Sequence, residues 1–600
     1  MSTTTSGTTA SPTITINGLH FQLEAELGAF SASVRQEEIE PGLDLLHLRL
    51  SAPQPAQPPK VVLMASLPIA DSHHAWATSG QGHGFGLVLD ARVTARACSQ
   101  APVLCLHSLH DRNRCTLALS DGLHQSVIQS REREEDATHR LRVEVFERAL
   151  PATADIAVTL RIDRRDVPYH RALREVAAWW AGQDGYTPIA APEAGRLPMY
   201  STWYSFHQQV PADVVEAQCV LAKAIGCEAV IMDDGWQTLD NARGYAYTGD
   251  WNPDRIPDMA AHVARVHAMG LKYLLWYSVP FVGYQAVCYE QFKDMGLRND
   301  ERLQTLVLDP RFPAVREYLI SHYERAVREW NVDGLKLDFV DSFSGEPDAS
   351  NGRDFADVDE AADRLLSDCI DCLRAIKPDI LIEFRQSYIG PKMRRYGNLF
   401  RAGDCPYCVI TNRKRTIDLR LLSGDTCVHS DMFRWHESED VASAAQQILA
   451  VIFSVPQVSV LIQDLPPDHR TMLTFWLAWW TEHRATLLDG ELDPRRPDQG
   501  YPVVVAQSDS QTIAAVYGEQ LLRLDAPRTD CQIVNASRYD AVALDLGHDL
   551  GERQVTVRDC CGVVVAQETR ALGAGLHRIA VPPAGLVQIR CGASGSAAAR

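Results

Sequence analysis

The chain has 600 residues, 46% hydrophobic and 22% charged, with a formal net charge of −19. That length exceeds what one core holds and predicts two to four domains, while the acidic balance excludes a nucleic-acid or anionic-membrane surface, which needs clustered Lys and Arg. The first twelve residues carry neither a basic start nor an apolar run and no segment nears eighteen uninterrupted apolar residues, so no secretory signal and no membrane span are expected and the chain reads as cytoplasmic.

Between residues 14 and 162, short alternating runs such as Leu46-His47-Leu48-Arg49-Leu50 and Leu141-Arg142-Val143-Glu144-Val145-Phe146 are separated by Gly, Pro and charged turns. They predict an N-terminal antiparallel β-sandwich, which a linker helix at 168–182 extends to a domain of residues 1–185. From residue 199 the pattern becomes apolar strand, loop, amphipathic helix, repeated. Candidate strands lie at 199–205, 229–234, 272–278, 334–339, 380–385, 399–403, 426–430 and 458–463. Eight such runs predict a (β/α)₈ TIM barrel within residues 186–490, with helices at 214–225, 259–269, 314–330, 358–376 and 441–453. Short strands return at 502–506, 512–517 and 563–566, predicting a small C-terminal antiparallel β-domain over 491–600 with a disordered tail at 592–600. The fold class is therefore multidomain α/β plus all-β.

Fifteen cysteines, an odd number, suit reduced and mostly buried thiols. Cys369 and Cys372 share one face of an amphipathic helix and read as packing; Cys405-Pro406-Tyr407-Cys408 imitates a redox motif without that fold's order of elements.

The polar residues at the carboxyl ends of the candidate strands stand out: Asp233, Asp234, Lys336, Asp338, Arg385, Asp404 and Asp431. In barrel enzymes that end carries the active site. Two aspartates facing one another across the mouth, Asp338 and Asp404, suit retaining glycoside hydrolysis, which needs a nucleophile and an acid/base about 5–5.5 Å apart. Lys336 and Asp338 share a strand face, so the ammonium is expected to keep the carboxylate ionised. Trp203, Trp236 and Trp276 offer apolar faces to a pyranose ring. A metal-dependent barrel hydrolase needs His-x-His on strand 1; Tyr200-Ser201-Thr202-Trp203-Tyr204 has none, so neither metal nor cofactor is expected.

Met232-Asp233-Asp234-Gly235-Trp236-Gln237, Gly249-Asp250-Trp251, the run from His267 through Gly270 and Lys272 to Leu275-Trp276, and Gly334-Leu335-Lys336-Leu337-Asp338 together resemble glycoside hydrolase family 36, the α-galactosidases (melibiases), some α-N-acetylgalactosaminidases and the raffinose synthases. The resemblance covers residues 195–490. It implies that Asp338 attacks the anomeric carbon and Asp404 protonates the leaving oxygen; in that role Asp404 must start protonated, with a pKa expected to be raised by the Asp338 charge. It further implies that Asp233 and Asp234 accept from sugar hydroxyls with Lys336 nearby, that Trp276 forms part of the sugar platform, and that Trp76 is the candidate for a tryptophan reaching over the pocket from the N-terminal domain.

The chain departs from that family at Phe339-Val340-Asp341 after the nucleophile, at Tyr277-Ser278-Val279-Pro280-Phe281, and at Glu383-Phe384-Arg385-Gln386-Ser387-Tyr388 in place of a glycine-rich segment. The expected function is a retaining exo-α-glycosidase, most simply an α-galactosidase. A raffinose synthase-like transglycosylase and an α-glycosidase for an N-acetylated or anionic sugar stay open, as does a non-catalytic carbohydrate-binding barrel. Arg385 and Arg401 match the oxygens of an anionic sugar, whereas the milder reading pairs each with a neighbouring aspartate. The expected partner is an oligosaccharide or glycoside, with no nucleic acid and no membrane, and a homo-oligomer is allowed.

Overall fold

The structure is a computed structural model that describes residues 2–5, 13–16, 19–78, 90–148 and 150–591; the expected tail at 592–600 lies outside the described residues. The N-terminal region forms two sheets of seven and six strands whose pairings are all antiparallel. Strict alternation builds their shared core: along Leu19–Ala25 every second residue is buried, and Phe21, Leu23, Leu48, Leu50, Leu117 and Val143 meet in one apolar cluster. The helix Tyr169–Ala181 then leads to the barrel.

Eight parallel strands make the barrel: β1 (Met199–Ser201), β2 (Ala229–Met232), β3 (Lys272–Ser278), β4 (Gly334–Asp338), β5 (Leu381–Arg385), β6 (Leu399–Arg401), β7 (Cys427–His429) and β8 (Gln457–Val458). The seam between β7 and β8 is closed by Val455 N donating to Val428 O at 2.9 Å and Ser430 N to Val455 O at 3.0 Å. Register sets the mouth: Ser278 stands opposite Asp338, Lys336 opposite Glu383, and Arg385 opposite Arg401. Gly334 is required because a Cβ there would meet the Leu381 carbonyl oxygen at 2.4 Å, which lets β4 and β5 approach.

Two strands end early. β1 stops at Ser201 because Trp203–Phe206 turns helical, and β8 is only two residues long. The helix Val409–Arg420 escaped the sequence pattern because its buried face is mostly polar, with Asn412, Arg413, Thr416 and Asp418 beside Ile417 and Leu419. A three-stranded sheet, Phe281–Gly283, Thr305–Leu308 and Gly296–Asp300, is inserted after β3.

The C-terminal region differs from the antiparallel expectation. Gln511–Val516 pairs parallel with Asp530–Asn535, and Leu521–Leu524 pairs parallel with Ala541–Leu546. The chain alternates between its two sheets, so each strand in the opposite sheet serves as the crossover that a parallel neighbour needs.

Candidate active site

β4 delivers Asp338 to the mouth, where its two oxygens have different surroundings. Oδ1 accepts from Arg385 Nε at 2.6 Å, Tyr388 Oη at 2.5 Å and its neighbour Phe339 N at 2.9 Å. Among the described residues Oδ2 receives one contact, Trp276 Nε1 at 3.2 Å. Burial would push this carboxyl up, but the charges of Arg385 and Lys336 and the hydrogen bonds of Arg385 and Tyr388 hold it well below the usual carboxylate range. Asp338 is therefore a carboxylate throughout the working range of pH.

Asp404 lies past the end of β6, its side chain 51% exposed against 8% for Asp338. Arg385 links the two, with Nη1 3.9 Å from Asp404 Oδ1. Arg401 donates to the same oxygen through Nη2 at 2.9 Å and also pairs with the fully buried Asp431 through Nη1. The expected upward shift of Asp404 is overturned. Burial and Asp338 push it up, yet Arg401 and Arg385 outweigh them and its pKa is lowered. Asp431 moves the other way, pushed by burial to about 6. Its oxygens are already taken by Arg401, Cys405 N at 2.6 Å and Tyr204 Oη at 3.0 Å, which leaves it no free approach to a leaving group.

The two aspartates that follow β2 are held differently. Lys336 Nζ lies 2.6 Å from Asp233 Oδ2, so its contact is Asp233 rather than the strand neighbour Asp338, on which it acts only through its field. Asp234 contacts no cation among the described residues; Gln237 Nε2 donates to Oδ1 at 2.7 Å and Gln208 Nε2 to Oδ2 at 2.9 Å, and burial pushes it to about 7. Gly235, at φ 120°, makes this possible, because a Cβ there would strike Gln208 Cα at 2.5 Å.

The tryptophan expectations need correction. Trp236 is core, stacked on Trp251 and donating Nε1 to Trp276 O at 2.9 Å. Trp276 reaches Asp338, but its buried indole stacks on Tyr245 with ring centroids 6.1 Å apart, so it is a donor to that carboxylate more than an open platform. Trp203, partly exposed on the turn after β1, carries Arg243 over its ring at 5.4 Å. Trp76 is buried away from the mouth: its Nε1 donates to Asp418 Oδ1 at 2.9 Å and Tyr501 Oη at 3.2 Å, tying the N-terminal strand His74–Ala77 to a barrel helix and the C-terminal region. The N-terminal region instead braces the mouth through Arg96, which donates to Asp341 O, Phe343 O and Asp359 Oδ1, and through Gln100 N to Ser387 O at 2.8 Å.

Arg385 and Arg401 both follow the milder reading, each pairing with aspartates. Glu383, Tyr388, Gln208 and Gln237 were missed. Only Tyr388 had a readable signal, three residues past the Arg385 that ends β5. The cysteines are all free thiols. Among the described residues no helix is long and apolar enough to cross a membrane, and no group of three or more His, Cys, Asp or Glu is arranged to hold a metal ion.

Residues 199–436 match the family model described as the glycosyl hydrolases family 31 TIM-barrel domain. A probable α-galactosidase G of Emericella nidulans is 27% identical over 161 residues, 24% of this chain and 22% of that protein. α-Galactosidase 1 of Pediococcus pentosaceus is 26% identical over 181 residues, 28% of this chain and 23% of that protein. The matched stretch thus spans less than a quarter of these curated relatives. Among solved structures, a glycoside hydrolase family 36 α-galactosidase variant from Geobacillus stearothermophilus in complex with raffinose shares the fold with a TM-score of 0.64 at 13% identity, covering 98% of this chain and 86% of that one. An α-galactosidase from Thermus thermophilus in complex with p-nitrophenyl α-D-galactopyranoside gives 0.52 at 18% identity, covering 81% and 96%. The barrel is similar to those of α-galactosidase-like glycoside hydrolases, and residues 199–436, the stretch that the family model matches, contain every mouth carboxylate described above.

Proposed function

We propose that the chain is a retaining exo-α-glycosidase of the family 36 kind, most simply an α-galactosidase acting on terminal α-linked sugars of oligosaccharides. The observation that carries this reading is the pairing of a buried, permanently ionised Asp338 with a half-exposed Asp404 across one guanidinium, Arg385. A carboxylate held ionised suits a nucleophile, and an exposed carboxyl beside it suits the group that meets the leaving oxygen and then water. Asp233, Asp234 and Lys336 supply charged hydrogen-bonding groups to one side of the sugar, with Trp203 and Trp276 at its edges.

Asp404 gains its proton when substrate enters, because covering a half-exposed carboxyl removes water and favours its neutral form. The anionic-sugar reading loses support, since Arg385 and Arg401 already have carboxylate partners. The free cysteines fit a reducing, cytoplasmic setting. Aryl α-glycosides of galactose, N-acetylgalactosamine, glucose and an anionic sugar test the reading directly. Turnover of the galactoside with the α-anomer released first supports it; no turnover of any, or release of the β-anomer first, overturns it.

A further inference from the structure

Taking Asp338 as the nucleophile, we infer that Oδ2 is the attacking oxygen and that Tyr388 is a positioning residue that governs the second half of the reaction, release of the sugar from the enzyme. Three donors converge on Oδ1: Arg385 Nε, Tyr388 Oη and Phe339 N. That oxygen has little lone-pair capacity left for a carbon, whereas among the described residues Oδ2 carries only the longer contact from Trp276 Nε1. Tyr388 is fully buried, fixed three residues beyond the Arg385 that ends β5, and its hydroxyl also accepts from Phe339 N at 3.2 Å. With that acceptor position filled, its own proton is directed at Asp338. Burial and the Asp338 charge keep the phenol protonated, so it remains a donor.

In the first step an Oδ2 lone pair bonds to the anomeric carbon as the bond to the leaving oxygen breaks. The leaving oxygen keeps that electron pair and takes the proton of Asp404. In the second step Asp404 takes a proton from water, the water oxygen bonds to the anomeric carbon, and the carbon–Oδ2 pair returns to the carboxylate. Donors on Oδ1 stabilise the carboxylate more than the ester carbonyl, because hydrogen bonds to a charged acceptor are roughly twice as strong. They therefore restrain the attack slightly and assist the release, in which the carboxylate is the leaving group.

The test is Tyr388→Phe assayed on an activated aryl α-galactoside, for which release limits kcat and attack sets kcat/KM. The expected result is a kcat lowered about tenfold or more with kcat/KM within about threefold of wild type, and a glycosyl adduct on Asp338 that accumulates in quenched turnover. Equal falls in kcat and kcat/KM with no adduct, the signature of a purely structural role, overturn the inference. So does an unchanged kcat. If the phenylalanine variant fails to fold, a fluorotyrosine at position 388 keeps the shape and strengthens the donor; it should lower the adduct fraction, and a raised fraction contradicts the inference. Wild-type turnover separates the two claims: a wild type inactive on every α-glycoside removes the function, whereas an active wild type with an unshifted kcat to kcat/KM ratio in the variant removes only the role of Tyr388.

Discussion

The two ends of the barrel use charge in opposite ways. At the amino-terminal end one carboxylate, Asp333, gathers several donors: Lys272 Nζ at 2.9 Å, His267 Nε2 at 2.7 Å, Tyr273 N at 3.0 Å and Lys377 Nζ at 3.5 Å. Its pKa is lowered because those donors outweigh its burial. At the mouth the ratio inverts. Among the described residues Lys336, Arg385 and Arg401 contact five carboxylates, Asp233, Asp338, Asp404, Asp431 and Glu383, while Asp234 is held by amides alone. Three of these six, Asp234, Asp431 and Glu383, are pushed upward. A surplus of partners makes a carboxylate a structural staple; a shortage spreads carboxyl pKa values apart, which acid–base chemistry requires.

The comparison breaks most sharply at single carboxylates. Asp338→Ala should lower turnover by about 10⁴-fold or more, with azide restoring some activity and giving the inverted product. Asp333→Asn should leave kcat within a few-fold yet lower unfolding stability by about 2 kcal/mol, read from denaturant titration. Equal activity losses for the two would erase the distinction between the ends. Next in size, Asp404→Ala should cost about 10²–10⁴-fold on oligosaccharides, whose leaving groups need a proton, and far less for attack on activated aryl substrates. Equal losses on both would make Asp404 a binding group rather than an acid.

A pH profile sharpens the account of Asp404. In its proposed role as the acid Asp404 must be protonated, so activity should fall as pH rises through its pKa. Because that pKa is lowered in the free enzyme and is proposed to rise when substrate covers the site, on oligosaccharides, where attack limits kcat, the basic limb of kcat/KM should lie at lower pH than that of kcat. Coincident limbs would mean that substrate does not desolvate it. Smaller effects are expected where the N-terminal region touches the barrel. Arg96→Ala should cost about tenfold in kcat by loosening the loop after β4, whose Asp341 and Phe343 carbonyls it holds. Trp76→Phe should cost about 1 kcal/mol of stability and no activity.

Much of this layout was legible in the sequence because parallel strands buried on both faces are nearly all apolar, so a terminal Asp, Lys or Arg stands out as it does in Gly334–Asp338. Partners were harder to read. Lys336 and Asp338 are two residues apart on one strand face, yet the lysine bonds Asp233 at the end of β2, a contact between strands that sequence spacing does not give. The Asp404 shift was misjudged because sequence placed one like charge beside it and gave no distance to the two guanidiniums that prevail. Trp76 was placed over the pocket on the strength of a resemblance; its burial against Asp418 and Tyr501 depends on how three regions dock. The helix Val409–Arg420 stayed hidden because a mostly polar buried face has no apolar period.

The central claim, that Asp338 forms a covalent glycosyl bond, is tested most directly by trapping it. The protein is incubated with a 5-fluoro-α-galactosyl fluoride, which slows release of the sugar, then digested, and the modified peptide is located by mass spectrometry. The account predicts one added fluorohexosyl group, on Asp338. An adduct on Asp404 or Asp233, or turnover of α-galactosides with no adduct and inverted product, would contradict it.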